Sequence, residues 1–223
     1  MRKLIALSFI SLDGVYQGPG EPEEDTSGGF KYGGWTIRYF DKDLQKIMAT
    51  QMGHDYDLLL GTKTYDIFAA YWPYQDSKKD PLAAGLEKAT KYVVSRESRE
   101  LGWKPAVLIK DNVVEEIKAL KKSQGPELQV HGSGNLIQTL LKHDLIDELW
   151  LKIFPVTLGS GKRLFGNGTM AAGFELIKSQ ATTTGVIVAN YRRAGEIKIG
   201  RFNTNPAGAE IERRKRMEGE KHS

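Results

Sequence analysis

Three short stretches of polar and glycine residues follow apolar runs in this chain, and each could contact a phosphate. They are Gly61-Thr62-Lys63-Thr64 after "DLLL", Ser95-Arg96 after "YVV" and Gly132-Ser133-Gly134-Asn135 after "LQVH". The start of a helix exposes unpaired backbone N–H groups and about half a positive charge, which attract an anion. Glycine lets the anion approach closely, and the planar guanidinium of arginine can bind two phosphate oxygens. Together the three junctions predict a site for a dinucleotide with an additional phosphate.

Each junction taken alone also fits a purely structural role. A Gly-Ser-Gly stretch commonly forms a tight turn, and a serine–arginine pair after a strand commonly lies on the surface. Two other nucleotide-binding motifs do not match. The Rossmann fingerprint needs a G-x-G-x-x-G turn and a helix directly after the first strand, but here the first apolar run ends in "SLDGVYQGPG" with no helix directly following. No Walker A sequence occurs either. Three such junctions in one predicted sheet favour a dinucleotide site over three unrelated turns.

Apolar runs and helical periodicities alternate up to about residue 154. Short apolar runs predict strands at residues 4–10, 57–61, 92–95, 106–109, 128–131 and 149–154. Apolar residues at helical spacing predict helices at 41–53, 62–72, 112–121 and after residue 131. Late runs at 174–177, 185–192 and 197–202 predict strands in hairpin connection. We therefore expect an α/β fold with a mixed, mostly parallel sheet and a C-terminal antiparallel hairpin.

Three of the predicted helices begin with a candidate capping residue. Thr62 and Ser133 each stand at a helix start, and Asn112 with Glu115 has the spacing of a capping box. Ser133 has an alternative use, because its hydroxyl could donate to a phosphate instead.

A glycine-rich segment at 14–36 is the best candidate for covering a substrate site. Seven glycines and two prolines lie in it, and long loops inside compact domains are often functional. Tyr16, Trp35 and Trp72 are candidate substrate contacts, with packing in a satellite core as the alternative. Asp13 precedes the segment and is the candidate for a catalytic proton relay or a substrate hydroxyl contact, with an ordinary turn as the alternative.

The stretch "GSGKR" at 159–163 could bind a second anion. A tight turn before a short helix, anchored by Phe165, is the preferred interpretation. The four histidines lack H-x-x-x-H spacing and the chain has no cysteine, so the sequence predicts no metal site.

The composition is typical of a soluble globular protein. The 223 residues are 40% hydrophobic and 27% charged, with a formal net charge of +4. The opening "MRKLIALSFISLDG" predicts a buried strand rather than a signal peptide, and no stretch approaches the roughly 20 apolar residues of a membrane span. We therefore expect a cytoplasmic protein that binds no membrane and no nucleic acid.

The expected domain organisation is one domain at 1–202 and a polar, basic, flexible tail at 203–223. Within the tail, "EIERRKRMEGEKHS" has few apolar residues. Its basic run could contact RNA or an acidic lipid surface, although a solvated tail is the preferred interpretation.

Five stretches of the chain resemble, in order, the dihydrofolate-reductase-like superfamily. They are "SLDGVYQGPG", "DLLLGTKTYDIF", "YVVSRE", "HGSGNLIQTLLKHDLIDELWLKIFPVTLGSGKRLF" and "GVIVANYRR". The resemblance is strongest to the branch with the reductase domain of riboflavin biosynthesis, the RibD C-terminal domain family, over about residues 2–194. It implies a three-layer fold with a sheet of about eight strands, NADPH as the cofactor, and a homodimer.

The resemblance also implies roles for the three junctions. Residues 61–64 would meet the cofactor phosphates, Ser95 and Arg96 the 2′-phosphate, and residues 132–135 the pyrophosphate and nicotinamide. His131 could contact the carboxamide or simply pack. One departure concerns the helix at 41–53, whose acids lie only in its first turn. Dihydrofolate reductases use a carboxylate within this helix to help protonate the pterin, so folate reduction is not expected here.

The predicted function is an NADPH-dependent reductase similar to 5-amino-6-(5-phosphoribosylamino)uracil reductase. It would transfer hydride to a small, heterocyclic substrate held under the 14–36 segment. The alternative is a non-catalytic nucleotide- or flavin-binding module with the same fold.

Overall fold

The computed structural model describes residues 1–200, 202 and 206–220. Within these residues the strands are β1 (Leu4–Ser11), β2 (Tyr56–Gly61), β3 (Lys91–Val94), β4 (Ala106–Ile109), β5 (Glu127–Val130), β6 (Glu148–Phe154), β7 (Phe174–Ala181) and β8 (Ile187–Arg193). The α-helices are α1 (Lys42–Gln51), α2 (Thr62–Tyr71), α3 (Pro81–Lys88), α4 (Val113–Lys122), α5 (Gly134–Lys142) and α6 (Gly208–Glu220). Short 3-10 helices lie at Ser27–Gly29, Ile37–Tyr39 and Trp72–Tyr74.

All eight strands form one sheet in the order β4-β3-β2-β5-β1-β6-β8-β7. The pairs from β4 to β6 are parallel. The last two strands are antiparallel to their neighbours and form the C-terminal hairpin. The expected mixed, mostly parallel sheet is therefore confirmed.

Helices cover both faces of this sheet, because alternate residues of each strand point to opposite faces. On one face Leu59 and Leu128 pack in a cluster with residues of α4 and α5. On the other face Leu58 packs in a cluster with residues of α2 and α3. A third cluster, around Leu44 of α1 and Phe154 of β6, extends this second face. The three layers match the predicted fold class.

Two predicted caps differ in the structure. Asn112 adopts a left-handed conformation with φ of 47° before α4 and makes no capping hydrogen bond, so the capping box is wrong. Gly61 rather than Thr62 takes the N-cap position of α2, and the Thr62 hydroxyl donates to Val94 O instead. Threonine and asparagine side chains can bond to several nearby backbone groups, so sequence spacing alone does not show which hydrogen bond forms.

The C-terminal part also departs from the expectation. No strand forms over residues 197–200, and residue 201 lies outside the described residues. Residues 208–220 form helix α6, in which Glu210 pairs with Arg213 and Arg214. On a helix, residues three and four positions apart are neighbours, so the charge spacing in "EIERRKR" indicated a helix. No helix in the described ranges is both long and apolar enough to span a bilayer.

Candidate functional site

The carboxyl ends of β3, β2 and β5 form a row at one edge of the sheet. β2 lies between the other two strands and is parallel to both. The Thr62 hydroxyl donates to Val94 O at 3.1 Å, and the Gly61 N–H donates to Gly132 O at 3.0 Å. The structure thus brings together the three predicted junctions at 61–64, 95–96 and 132–135.

Two glycines at these junctions are required by the packing of one junction against another. A Cβ on Gly61 would collide with the side chain and backbone nitrogen of Ser133. A Cβ on Gly132 would lie 2.6 Å from Thr64 Oγ1, and its φ of +142° also favours glycine. Because these glycines lack side chains, the ends of β2 and β5 can lie in contact. The sequence instead predicts that glycine here leaves room for a phosphate.

The start of α5 is covered by Tyr16 from the 14–36 segment. A Cβ on Gly134 would overlap the Tyr16 ring and hydroxyl. Burial raises the pKa of Tyr16, partly offset by a hydrogen bond from the Gly134 N–H. Ser133 occupies the N-cap position, but its hydroxyl makes no capping hydrogen bond. The segment therefore meets the helix start at the position predicted to receive a pyrophosphate.

A cavity of about 550 Å³ opens beside this row of strand ends. Its lining includes Leu7 and Phe9 of β1, Met48, Gln51 and Met52 near α1, Lys63, Thr64 and Phe68 of α2, residues 131–135, Lys152, and Tyr16, Glu24, Asp25, Lys162 and Arg163 from loops. The cavity is of a size suited to a small ligand. It joins apolar walls to a rim of charged groups.

Asp25 bridges two lysines at the rim of the cavity. Its carboxylate oxygens lie 2.7 Å from Lys63 Nζ and 2.7 Å from Lys162 Nζ. Partial burial opposes ionisation of Asp25, but the hydrogen bonds from Lys162 and Lys63 outweigh it and hold the pKa well below its usual range. One carboxylate thus takes the bridging position between two ammonium groups that a phosphate could also take.

Lys152 lies at the floor of the cavity with only 3% of its surface exposed. Burial lowers the pKa of its ammonium from 10.5 to about 7. Gln51 from α1 also lines the cavity, and its Nε2 donates to Asn190 Oδ1 at 3.3 Å. Its buried Oε1 has no donor among the described residues. Lys152 therefore offers a cationic donor to the cavity, whereas Gln51 Oε1 is a buried acceptor without a partner among the described residues.

His131 stands beside this floor as a neutral imidazole. Burial, together with the charge of Lys152, lowers its pKa to about 3. Its Nε2 lies 3.2 Å from Gln129 Oε1, while Gln129 Nε2 donates to Glu127 Oε1 and to Gln51 O. Since Gln129 Oε1 can only accept, His131 Nε2 carries the proton and Nδ1 is the unprotonated nitrogen. Its predicted contact with a nicotinamide carboxamide stays a prediction.

Ser95 and Arg96 differ in their availability to a ligand. The Ser95 hydroxyl closes a local turn, donating to Glu97 O at 2.8 Å and accepting from the Glu97 N–H at 3.1 Å. Arg96 is exposed beyond the end of β3 and lies outside the cavity lining. The predicted 2′-phosphate contact thus depends on Arg96 more than on Ser95.

Asp13 is held in a loop contact rather than in the cavity. Its carboxylate accepts hydrogen bonds from the Leu158 N–H at 3.0 Å, the Gly159 N–H at 2.9 Å and Ser11 Oγ at 2.6 Å. Partial burial opposes ionisation, but these hydrogen bonds lower its pKa below the usual value. Asp13 does not line the cavity, although its Oδ2 lies 3.6 Å from the guanidinium of Arg163, which does. This geometry supports the alternative structural role, and the catalytic role stays a prediction.

Two predicted aromatic contacts also lie away from the cavity. Trp35 is buried against Phe154, and its indole N–H donates to Gln17 O at 2.8 Å. Trp72 packs edge-on against Phe68 and Tyr71 and is absent from the cavity lining. Of the three predicted substrate contacts, only Tyr16 lines the cavity.

Several cavity residues were not predicted from the sequence. Lys152 interrupts an otherwise apolar strand, which is a recognisable signal because lysine is rarely buried without a partner. Lys162 and Arg163 belong to the "GSGKR" stretch, for which a turn was preferred. No helix follows that stretch, and Phe165 is 40% exposed. In the described part of the chain, no cluster of three or more His, Asp and Glu side chains could hold a metal ion.

The chain is similar to several known proteins. It is 33% identical over 141 residues to the uncharacterized protein YyaP of Bacillus subtilis, an overlap that covers 62% of this chain and 74% of YyaP. A crystal structure from Shewanella sp. PV-4, described as a possible riboflavin biosynthesis protein, superposes with a TM-score of 0.61 at 25% identity over 86% of this chain and 99% of that one.

Two further solved structures share the fold at lower identity. A Thermotoga maritima diaminohydroxyphosphoribosylaminopyrimidine deaminase/5-amino-6-(5-phosphoribosylamino)uracil reductase superposes with a TM-score of 0.57 at 12% identity, over 86% of this chain and 57% of that one. Dihydrofolate reductase from Enterococcus faecalis, complexed with NADP(H) and RAB-propyl, superposes with a TM-score of 0.55 at 14% identity, over 86% of this chain and 96% of that one.

The family model described as "RibD C-terminal domain" matches residues 2–188. This match spans β1 to the start of β8 and includes all three junctions and the cavity floor. The chain therefore belongs to the RibD C-terminal domain family.

Proposed function

We propose that this chain is an NADPH-dependent reductase of a small substrate that carries a C=O or C=N bond. The observation that carries the proposal is the cavity itself. The row of strand ends and the rim cations Lys63 and Lys162 lie on one side of it, and the buried Lys152 ammonium lies at its floor. A polar row for phosphates beside a partly apolar pocket suits a dinucleotide together with a small acceptor.

The chain's own residues fit this cofactor at the rim. Lys63 and Lys162 are already held 2.7 Å from the two oxygens of one carboxylate, a spacing suited to a bridging anion. The Ser133 hydroxyl makes no capping hydrogen bond and could donate to a phosphate. Arg96, exposed beyond β3, could bind the 2′-phosphate. When bound, NADPH would supply the hydride, while the protein orients the two reactants and excludes water.

The comparisons support a heterocyclic substrate. The Thermotoga relative in fold is named a 5-amino-6-(5-phosphoribosylamino)uracil reductase, and the Enterococcus relative was complexed with NADP(H). In this chain, Gln51 and Lys152 both line the cavity, and Gln51 Oε1 and Lys152 Nζ have no hydrogen-bond partner among the described residues. A pyrimidine carries ring N–H and C=O groups that could meet both.

The experiment is an oxidation assay that follows the absorbance of the reduced nicotinamide. Purified protein is mixed with NADPH and 5-amino-6-(5-phosphoribosylamino)uracil, and in parallel with a panel of small aldehydes, ketones and imines. We expect oxidation that depends on both protein and acceptor, with NADPH used in preference to NADH.

The same assay separates the proposed function from the binding-module alternative. Saturable NADPH binding without oxidation by any acceptor would favour a non-catalytic module. Absence of saturable binding of either nucleotide below about millimolar concentration would end both interpretations.

A further inference from the structure

Lys152 differs from the other buried cations of the described chain, because it alone has no acceptor. Arg2 donates to Pro126 O and pairs with Asp57. Lys91 donates to Glu87 O at 2.8 Å, and Lys121 donates to Leu145 O and Asp147 Oδ2. Buried amines normally obtain such partners, because burying an unpaired charge is costly. An unpaired buried amine that faces a cavity is suited to a ligand.

Sheet register places Lys152 at the cavity floor and not in the closed core. In the β1–β6 pair, Lys152 lies opposite Phe9, and in the β6–β8 pair it lies opposite Val188. Its Nζ lies 5.8 Å from the centre of the Phe9 ring, and both side chains line the cavity. Neighbouring strands therefore fix the backbone at Lys152, and its side chain starts from a rigid position on the cavity side of the sheet.

The two carboxylates that line the cavity, Glu24 and Asp25, are engaged with groups other than this amine. The other charged or titratable groups that line the cavity are His131 after β5, Lys63 of α2, Tyr16, Glu24 and Asp25 of the 14–36 segment, and Lys162 and Arg163. Asp25 is engaged by two lysines, and Glu24 Oε2 accepts from the Gly20 and Glu21 N–H groups. His131 uses its N–H on Gln129. Among the described cations and carboxylates that line the cavity, Lys152 is therefore the buried acid that donates to no protein acceptor.

We propose that the Lys152 ammonium donates the proton that completes reduction of the substrate. This inference rests on the proposed reductase function. When bound, a reduced nicotinamide would supply hydride to the carbon of the substrate's C=O or C=N bond, and the π electron pair of that bond would move to its oxygen or nitrogen. That atom takes a proton from Lys152 Nζ, which breaks one N–H bond and forms one O–H or N–H bond. The neutral amine then recovers a proton from solvent.

A second cavity residue, Gln51, narrows the substrate class. Its side chain lines the same cavity, and its buried Oε1 has no donor among the described residues, so a turn of the amide would offer this oxygen to a ligand. A substrate with an N–H group near its reducible bond, such as a cyclic amide or an amino-substituted heterocycle, satisfies this acceptor while its oxygen or nitrogen meets Lys152. A simple aliphatic ketone leaves the Gln51 oxygen unpaired and is expected to react more slowly.

The first test measures the amine itself and needs no turnover. Protein labelled with ¹³C at lysine Cε is titrated by NMR, and Lys152→Met identifies the resonance. The expected result is that the Lys152 resonance titrates near neutral pH, below the resonance of Lys91, whose pKa burial lowers to about 8, and that it shifts when 5-amino-6-(5-phosphoribosylamino)uracil is added. A resonance that titrates with the exposed lysines and ignores this compound would overturn the proposal.

The second test uses the oxidation assay. Lys152→Met is expected to lower kcat by roughly 100- to 10,000-fold and to leave the NADPH dissociation constant within about twofold. The matched control is Lys178→Met, an exposed lysine in strand β7, which should retain full activity. Because the chain has no cysteine, Lys152→Cys can be aminoethylated at that one position, and the restored amine should recover activity with a shifted pH profile.

The outcomes separate this inference from the proposed function. Oxidation by the wild type that Lys152→Met retains at full rate would contradict the role of Lys152 alone. Loss without recovery after aminoethylation would also contradict it, as would an unshifted pH profile. No oxidation by the wild type would overturn the reductase function, and this inference with it.

Discussion

At the scale of single residues, the buried amine of Lys152 lowers the stability of the fold while providing a group that can bind a ligand. An amine without a partner loses its hydration on folding and receives no hydrogen bond in return. The pKa of its ammonium falls from 10.5 to about 7 as a result. Such a group is expected at a site that exists for a ligand, because a well-packed apolar side chain would stabilise the fold more.

We therefore predict that Lys152→Met stabilises the protein, and more so as the pH falls. Between pH 10.5 and about 7 the unfolded chain binds a proton at Lys152 that the folded chain does not, so wild-type stability decreases as the pH is lowered. The part of the difference in unfolding free energy between the two proteins that depends on pH should reach roughly 5 kcal/mol at and below neutral pH. Urea unfolding of both proteins at several pH values measures it. A difference that does not depend on pH would contradict the buried-amine account.

Asp13 supports a second prediction, which separates a loop contact from catalysis. Asp13→Ala leaves the Leu158 and Gly159 N–H groups without their acceptor and should cost about 1–3 kcal/mol. Because hydrogen bonds lower the pKa of Asp13, its stabilisation is present above the ordinary value of 3.8 and is lost as the pH falls through the folded-state pKa. Chemical denaturation at neutral and acidic pH tests this. If Asp13→Ala unfolds like the wild type yet abolishes turnover, the catalytic role is restored.

At the scale of elements, the contacts between strand ends depend on residues that are distant in sequence. Gly61 and Ser133 are neighbours only because β2 pairs with β5, and Tyr16 reaches Gly134 only because the 14–36 segment folds back over α5. The three junctions and their shared edge could be predicted, since alternating strands and helices imply a parallel sheet. The packing of these glycines against residues of other segments could not be predicted, because residue spacing within one segment carries no information about contacts with distant segments.

Gly134→Ala tests the contact between the segment and α5. The new methyl group would overlap the Tyr16 ring, so the segment must move away or the helix start must shift, at a cost of roughly 1–3 kcal/mol. Tyr16→Ala makes room for the methyl group. The double variant should therefore be less destabilised than the sum of the two single variants, as measured by thermal or urea unfolding. Additive effects would show that the two residues are not in contact.

Asp25→Asn tests whether the segment competes with an anion at the rim. Removing the carboxylate charge leaves Lys63 and Lys162 without their shared counter-ion. Pyrophosphate and NADPH should then bind roughly 3- to 10-fold more tightly, with a steeper dependence on salt. Glu21→Gln, at an exposed position of the same segment, is the control. Calorimetric titration measures both variants, and weaker binding by Asp25→Asn would contradict competition.

At the scale of the whole molecule, the α/β architecture could be predicted because periodicity and strand–helix alternation persist along most of the chain. The order of β3, β2 and β5 within the sheet could not be predicted, because alternation implies parallel strands without fixing which of them are neighbours. The cavity floor could not be predicted, because Gln51 and Lys152 come from α1 and β6, which are separated by about 100 residues. Helix α6 was missed because charge pairs at helical spacing were interpreted as a solvated tail. The homodimer stays a prediction.

The central claim is that the shared strand-end edge binds the phosphorylated dinucleotide. Fluorescence titration of NADPH and NADH against the wild type, Arg96→Ala and the control Arg192→Ala, on the distant strand β8, tests it most directly. We expect saturable NADPH binding, a loss of roughly tenfold or more for NADPH in Arg96→Ala, and little change for NADH or for the control. Equal losses for both nucleotides would remove Arg96 from the 2′-phosphate, and no saturable binding to the wild type would contradict the claim itself.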